Sequence, residues 1–374
     1  MNKNAQKIVV IFFITLGITL TLTIGGLWYF SPIYRSFPQP TGPYGVGIIT
    51  KNFIDANRNE IHTLATKPRA LVADIYYPTE KKLSPQTFPY QAQRIKATIN
   101  YHAKYTKIPA WILKILIANI QSYANPNAQI AAGSSFPVVI FSHGIGGAAF
   151  YNVYLEELAS HGYVVVSVYH TYDTEVTVFS DDYVVELDPE LRDMIKKIDR
   201  TRIYPYRAIA HKIWLQDLQF MIDKIQTLNS DVDSMFNHKL DLTRLGALGH
   251  SHGGAVVIDL VKLEPCIKAG IDLDGWTISA NTTASFNKPF MTIVSGNFDL
   301  NQPFTGGSVG WNLFLKNMQT NSLASLIIIP DADHNSFSDD ILIKWPFGLQ
   351  KKQADKIRNQ VQHYIQTFFD KYVK

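Results

Sequence analysis

Three spacings of apolar residues run along this chain, and each predicts a different kind of element. The first is unbroken. Residues 8–30, from Ile8 to Phe30, hold no charged side chain, a length that spans a hydrocarbon layer as one helix. Lys3 and Lys7 precede it, and Trp28, Tyr29 and Phe30 close it. The basic flank is therefore expected to stay cytoplasmic, with the aromatics at the far interface and the rest of the chain outside, periplasmic or extracellular. A cleaved signal peptide would have a shorter apolar stretch followed by small residues. Bulky aromatics follow instead, which predicts an uncleaved signal anchor; secretion would follow only if residues 1–30 were removed.

The second spacing is a regular alternation. Residues 136–141 read as a strand, 151–160 as a helix, 163–169 as a β-branched strand and 189–228 as a polar helical region. An apolar strand then runs into Gly249 and a helix follows it. Strands at 269–273, 290–295 and 323–329 and an amphipathic helix at 350–373 complete the series. Strands alternating with helices predict an α/β fold, a mostly parallel sheet covered on both faces. An earlier strand, Val72 to Tyr77, is expected to end at Pro78. The third spacing, at 109–121, is a proline-started helix whose apolar residues exceed a single stripe.

Residues 31–46 carry four prolines and read as a linker. The organisation is thus a cytoplasmic tail at 1–7, a transmembrane anchor at 8–30, that linker, and one α/β domain over 47–374. Composition changes this picture little. With 46% hydrophobic and 18% charged residues, the chain is that of a folded globular domain. A net charge of +4 without a Lys/Arg block argues against nucleic acid as a partner. The single cysteine, Cys266, excludes an intramolecular disulfide and a cysteine-based metal cluster; it reads as a small buried hydrophobe.

The candidate chemistry centres on Gly249-His250-Ser251-His252-Gly253, set between a strand and a helix. That context is the nucleophile elbow, a turn so sharp that residues two before and two after the serine must lack bulk. A serine hydroxyl needs a base to take its proton. Partners in such sheets follow in the order serine, acid, histidine. Downstream of the elbow lie His334, in a polar loop after a strand, and His363, within the closing helix; His334 is the expected base. For the acid, Asp274 and Asp299 both follow strands and spacing does not separate them, while Asp272 is deeper in its strand and weaker. The oxyanion needs two donors: the amide of His252, and one from the loop His143-Gly144-Ile145-Gly146-Gly147, best Ile145. His143, His250 and His252 lack the carboxylate or cysteine partners of a metal site, so neither a metal nor another cofactor is expected.

These segments resemble the plasma, lipoprotein-associated type of platelet-activating-factor acetylhydrolase. The matching stretches are Thr41 to Gly47, Phe141 to Gly146, Leu158 to Tyr163, Gly249 to Gly254, Gly270 to Trp276 and Asp333 to Phe337, in the family's order. The resemblance implies an α/β-hydrolase fold, Ser251, Asp274 and His334 as a triad, and the amides of Ile145 and His252 as the oxyanion hole. It selects Asp274 because the family's acid precedes a small residue and a tryptophan, as in Asp274-Gly275-Trp276. It implies phospholipids with short or oxidised acyl chains as substrates. It also places a surface-binding helix where Trp111, Ile112, Leu113, Ile115 and Leu116 lie, with Lys107 and Lys114 near headgroups. Where the animal enzymes usually carry phenylalanine after the nucleophile, this chain has His252, expected to alter the acyl pocket. The alternatives are a general carboxylesterase of dienelactone-hydrolase type acting on small soluble esters, and a membrane-tethered binding protein on an inactive hydrolase fold.

Overall fold

The computed structural model describes residues 3–30, 37–63, 66–80, 84, 86–87, 92–117, 121–133, 135–147, 150–275, 287–296, 314–316, 318–343 and 351–374. Its centre is a nine-stranded sheet. In chain order the strands are β1 (Gly45–Asn59), β2 (Pro68–Thr79), β3 (Ala124–Pro126), β4 (Phe136–Ser142), β5 (Val164–Tyr169), β6 (Leu240–His250), β7 (Ile267–Leu273), β8 (Phe290–Ser295) and β9 (Ala324–Ile329). Their spatial order is β9-β8-β7-β6-β4-β5-β2-β1-β3. From β9 to β5 all neighbours are parallel. The β1–β2 hairpin is antiparallel, and β2 joins β5 antiparallel.

The helices are α1 (Lys3–Phe30), α2 (Ala92–Thr106), α3 (Ala110–Ile117), α4 (Asn152–Ser160), α5 (Pro189–Lys197), α6 (Arg200–Ser230), α7 (His252–Leu263), α8 (Asp340–Ile343) and α9 (Lys351–Tyr372). Successive residues of a strand face opposite sides, so the apolar run of β4 serves two cores. Val139 and Phe141 join α4 and α9 in one. Val138 and Ile140 join Trp214 and Leu218 of α6, with Val256 and Leu260 of α7, in the other. Covering both faces is what permits a parallel sheet to be apolar throughout. Successive strands step one way from β4 to β5 and the other way from β6 to β9. The carboxyl ends of β4 and β6 therefore flank a switch in winding direction, where α/β sheets open a crevice.

Several expectations shift. Pro78 does not end its strand: it pairs with Val46 in β1, beyond Tyr76, the last residue of β2 to pair with β5. A strand with a partner on only one side there tolerates a missing N–H. The end of the stretch read as linker is docked on the domain. The Thr41 and Tyr44 amides donate to Glu157 Oε2 and the Ser160 carbonyl at 2.9 and 3.0 Å, and Phe37 is buried. Gly42 is needed for this approach, since a Cβ there would lie 2.1 Å from the Ser160 carbonyl oxygen. The helix expected over 109–121 covers Ala110–Ile117, and residues 121–122 are already extended. Its Trp111 is exposed, Ile112 half-buried and Leu113 buried; the side chains of Ile115 and Leu116 lie outside the described residues. The polar helical region is two helices, broken at Ile198, which takes a left-handed φ of 53°. Cys266 is half-exposed rather than buried, because it lies in the turn between α7 and β7. Within α1, Ala5–Gly26 is the one stretch among the described residues long and apolar enough to cross a membrane, and none of it is buried in the domain.

Candidate active site

Ser251 stands between β6 and α7 with φ 55° and ψ −120°, a conformation that costs an L-residue of order 1–3 kcal/mol and persists only where its surroundings hold it. They do. The Ser251 amide donates to the Leu273 carbonyl at 2.9 Å, and the Ser251 carbonyl accepts from Ala255 at 3.1 Å. The two flanking glycines are required by contact: a Cβ on Gly249 would lie 2.4 Å from the Gly253 carbonyl oxygen, and one on Gly253 2.2 Å from that of Ser142.

The three residues chosen from the sequence meet. His334 Nε2 is 2.9 Å from Ser251 Oγ, and His334 Nδ1 is 2.7 Å from Asp274 Oδ2. The other carboxylate oxygen, Oδ1, accepts the Ser295 amide at 2.7 Å. Burial works to raise the Asp274 carboxyl, but the bond and charge of His334 and the Ser295 amide outweigh it and hold it below the ordinary aspartate value. Asp272 is the opposite case. Burial, with the Asp274 charge, pushes it well above that value, and it points to Gly275 and Gly254 rather than to His334. Asp299 and Trp276 lie outside the described residues. His363 is exposed on α9, away from these groups.

Among the described residues, the loop after β4 leaves one amide without an acceptor. Gly144 N–H donates to Tyr151 Oη, Gly146 N–H to the Asp173 carbonyl and Gly147 N–H to the Gly144 carbonyl, at 3.0, 2.8 and 3.1 Å. Ile145 N–H has no such acceptor among the described residues. His252 N–H, at the first position of α7, lies where a helix offers no internal acceptor. The loop also stands against the serine, since a Cβ on Gly144 would be 3.2 Å from Ser251 Cβ.

The three histidines around the elbow are all buried. His143 Nδ1–H donates to the Gly144 carbonyl at 2.6 Å and so braces the same loop; burial and His170 lower its pKa well below the usual value. The His252 ring is packed inside the domain. It is 0% exposed, accepting from Arg207 Nε at 3.4 Å and set edge-on to Trp214. The helix start turns its side chain inward, and its amide heads α7 directly after the serine.

Two features were not read from the sequence. Tyr151 and His250 form a hydrogen-bonded link behind the site, with Oη 2.7 Å from Nδ1 and His250 Nε2 2.9 Å from the His334 carbonyl. A second Ser-His-Asp series lies deeper: Ser142 Oγ is 3.0 Å from His170 Nε2, and His170 Nδ1 is 2.9 Å from Asp217. All three are 0% exposed, and Asp217 also takes the guanidinium of Arg69. No substrate reaches them, so they brace the end of β4. Only the occurrence of a buried-type strand ending in Ser-His gave a signal, and it carries no partner information.

Comparison with known proteins bears on the same region. A ferulic acid esterase from Streptomyces cinnamoneus superposes with a TM-score of 0.69 at 20% identity, over 91% of this chain and 93% of that one; the fold is thus that of an α/β-hydrolase. The platelet-activating factor acetylhydrolase of Gallus gallus is 25% identical over 264 residues, 63% of this chain and 60% of that protein. A probable 1-alkyl-2-acetylglycerophosphocholine esterase of Arthroderma benhamiae is 25% identical over 329 residues, 83% of this chain and 78% of that protein. The chain thus spans less than two thirds of the animal relative's length. The family model for platelet-activating factor acetylhydrolase, isoform II, matches residues 31–358. With most of the chain matched in this way, it belongs to the platelet-activating factor acetylhydrolase, isoform II, family.

Proposed function

We propose that this chain is a serine esterase that cleaves short or oxidised acyl esters of phospholipids and works without a metal. The observation that carries the reading is His334 bridging Ser251 Oγ and Asp274 Oδ2 at 2.9 and 2.7 Å, beside a loop whose Ile145 amide has no acceptor among the described residues. His334 Nε2 takes the serine proton as Oγ attacks the ester carbonyl. Asp274, held ionised, orients the ring and stabilises its positive charge. The oxyanion is held by the amides of Ile145 and His252, fixed before reaction and so not reorganised by it. His334 then gives the proton to the departing alcohol, and water releases the acyl group by the same steps in reverse.

Substrate class rests on the family, whose relatives are named for acetylhydrolysis of platelet-activating factor. The N-terminal helix supports anchoring by residues 8–30, with the N-terminus cytoplasmic and the domain outside. Trp111, which is exposed, and Ile112, which is half-buried, then rest on the lipid surface that presents the substrate, while Leu113 packs inward.

Ser251→Ala tests the reading. Loss of ester hydrolysis and of fluorophosphonate labelling is expected, and full retained activity overturns it. Faster turnover of a short-chain phospholipid than of a small aryl ester supports the lipid assignment. The reverse order assigns a general carboxylesterase, and labelling without turnover of either indicates a binding protein.

A further inference from the structure

Two polar groups, the Gly144 amide and His250 Nδ1, converge on Tyr151 Oη, and the donor–acceptor roles are determined. The His334 carbonyl can only accept, so His250 Nε2, 2.9 Å away, carries the ring proton. His250 Nδ1 is then a bare lone pair, and the Tyr151 hydroxyl 2.7 Å from it must donate. The same hydroxyl accepts the Gly144 amide at 3.0 Å. The series therefore runs from Gly144 N–H through Tyr151 O–H to His250, and from His250 N–H to the His334 carbonyl. It joins the loop that presents the Ile145 amide to the backbone of the residue that carries the imidazole. The groups are shut from solvent, Tyr151 at 3% and His250 at 4% exposure. Burial and the charge on His334 hold His250 down at about 3, so it stays neutral. Burial raises the tyrosine, so it keeps its proton.

We propose that Tyr151 and His250 are positioning residues that set the oxyanion loop and the base together. This rests on Ser251 and His334 having the roles given above. Without the hydroxyl, the Gly144 amide and His250 Nδ1 lose their partners in a dry site. His250 is then free to take the other tautomer, whose bare Nε2 would face the His334 carbonyl and repel it. Both halves of the site loosen, and misplacement on the scale of an ångström costs about a hundredfold in rate.

The test is steady-state kinetics on an aryl acetate with the full chain, active sites being counted by fluorophosphonate titration and folding followed by thermal melting. Tyr151→Phe, which keeps the ring, is expected to lower kcat about tenfold or more with KM within about twofold. Tyr77→Phe removes another buried hydroxyl, one bonded to the Ala128 carbonyl, and is expected to leave kcat unchanged. His250→Gln retains an N–H for the His334 carbonyl and should keep more of kcat than His250→Leu. Wild-type kcat in Tyr151→Phe overturns the inference. If that variant does not fold, equal kcat in the two His250 variants overturns it instead. Full activity in Ser251→Ala would sink the reading of the site itself, a result distinct from either.

Discussion

A Cβ on Gly253 would stand 2.2 Å from the carbonyl oxygen of Ser142. The start of the elbow helix is thus in backbone contact with the end of β4, the strand that leads into the loop carrying the Ile145 amide. Gly253→Ala is expected to push the two apart, lowering kcat about a hundredfold by misplacing the loop amide. It should also lower the melting temperature. Unchanged kinetics in a folded Gly253→Ala protein would show that the contact does not set the geometry.

Asp274 and Asp272 are two residues apart and differ in state. Asp274→Asn removes the charge that faces the imidazole, and a loss in kcat of about 10⁴-fold is expected. Asp272→Asn replaces a carboxyl that burial and the Asp274 charge push well above the ordinary aspartate value and that points to Gly275 rather than to His334, and its kcat should stay within about threefold of wild type. The same assay applied to Asp299→Asn settles the acid: loss there, with Asp274→Asn spared, would reverse the assignment.

Glu156 gives the domain a pH dependence independent of catalysis. It is buried on α4 and bonded to Ser122 Oγ and the Tyr123 amide, the latter at 3.0 Å. Burial raises it from 4.5 to about 8 despite those bonds. The folded protein then holds a proton that the unfolded chain has lost. Stability from this group is complete below pH 4.5 and is lost as pH rises through about 8. Glu156→Gln keeps both hydrogen bonds without the charge, so its melting temperature should fall less than that of wild type between pH 5 and pH 8. Parallel curves would refute the assignment.

The proposed anchor and the proposed surface helix make separable predictions. Removing residues 1–30 should move the protein from the membrane fraction to the soluble one while kcat on an aryl ester is retained. In that soluble form, Trp111→Ala should weaken sedimentation with phosphatidylcholine vesicles about tenfold, with the aryl-ester rate untouched. Retention in the membrane fraction without residues 1–30 would remove the anchor reading.

What the chain discloses depends on how locally each feature is determined. The strands from β4 to β9 were legible because their apolar runs are bounded by loop residues, with both faces covered in β4, β5 and β8. Ser251 was legible because its turn constrains residues within two positions, and His334 because chain order left few candidates. The long β1 was not legible, since much of it is polar and its pairing with β2 rather than its composition makes it a strand. Tyr151 was read only as the start of a helix, because the atom it serves lies on His250, 99 residues away. The surroundings of the His252 ring were not legible either, because Arg207 and Trp214, which it meets, lie far earlier in the chain, Arg207 by 45 residues.

The site spans distant parts of the chain: His334 meets Asp274 across 60 positions and Ser251 across 83. Those pairings exist only once parallel strands β6 to β9 have aligned, and such non-local alignment is the slow part of folding. Return of esterase turnover after dilution from denaturant should therefore lag behind return of helical signal. The catalytic rate becomes a clock for the last stage of assembly, and the interval before it is when the chain is most exposed to aggregation.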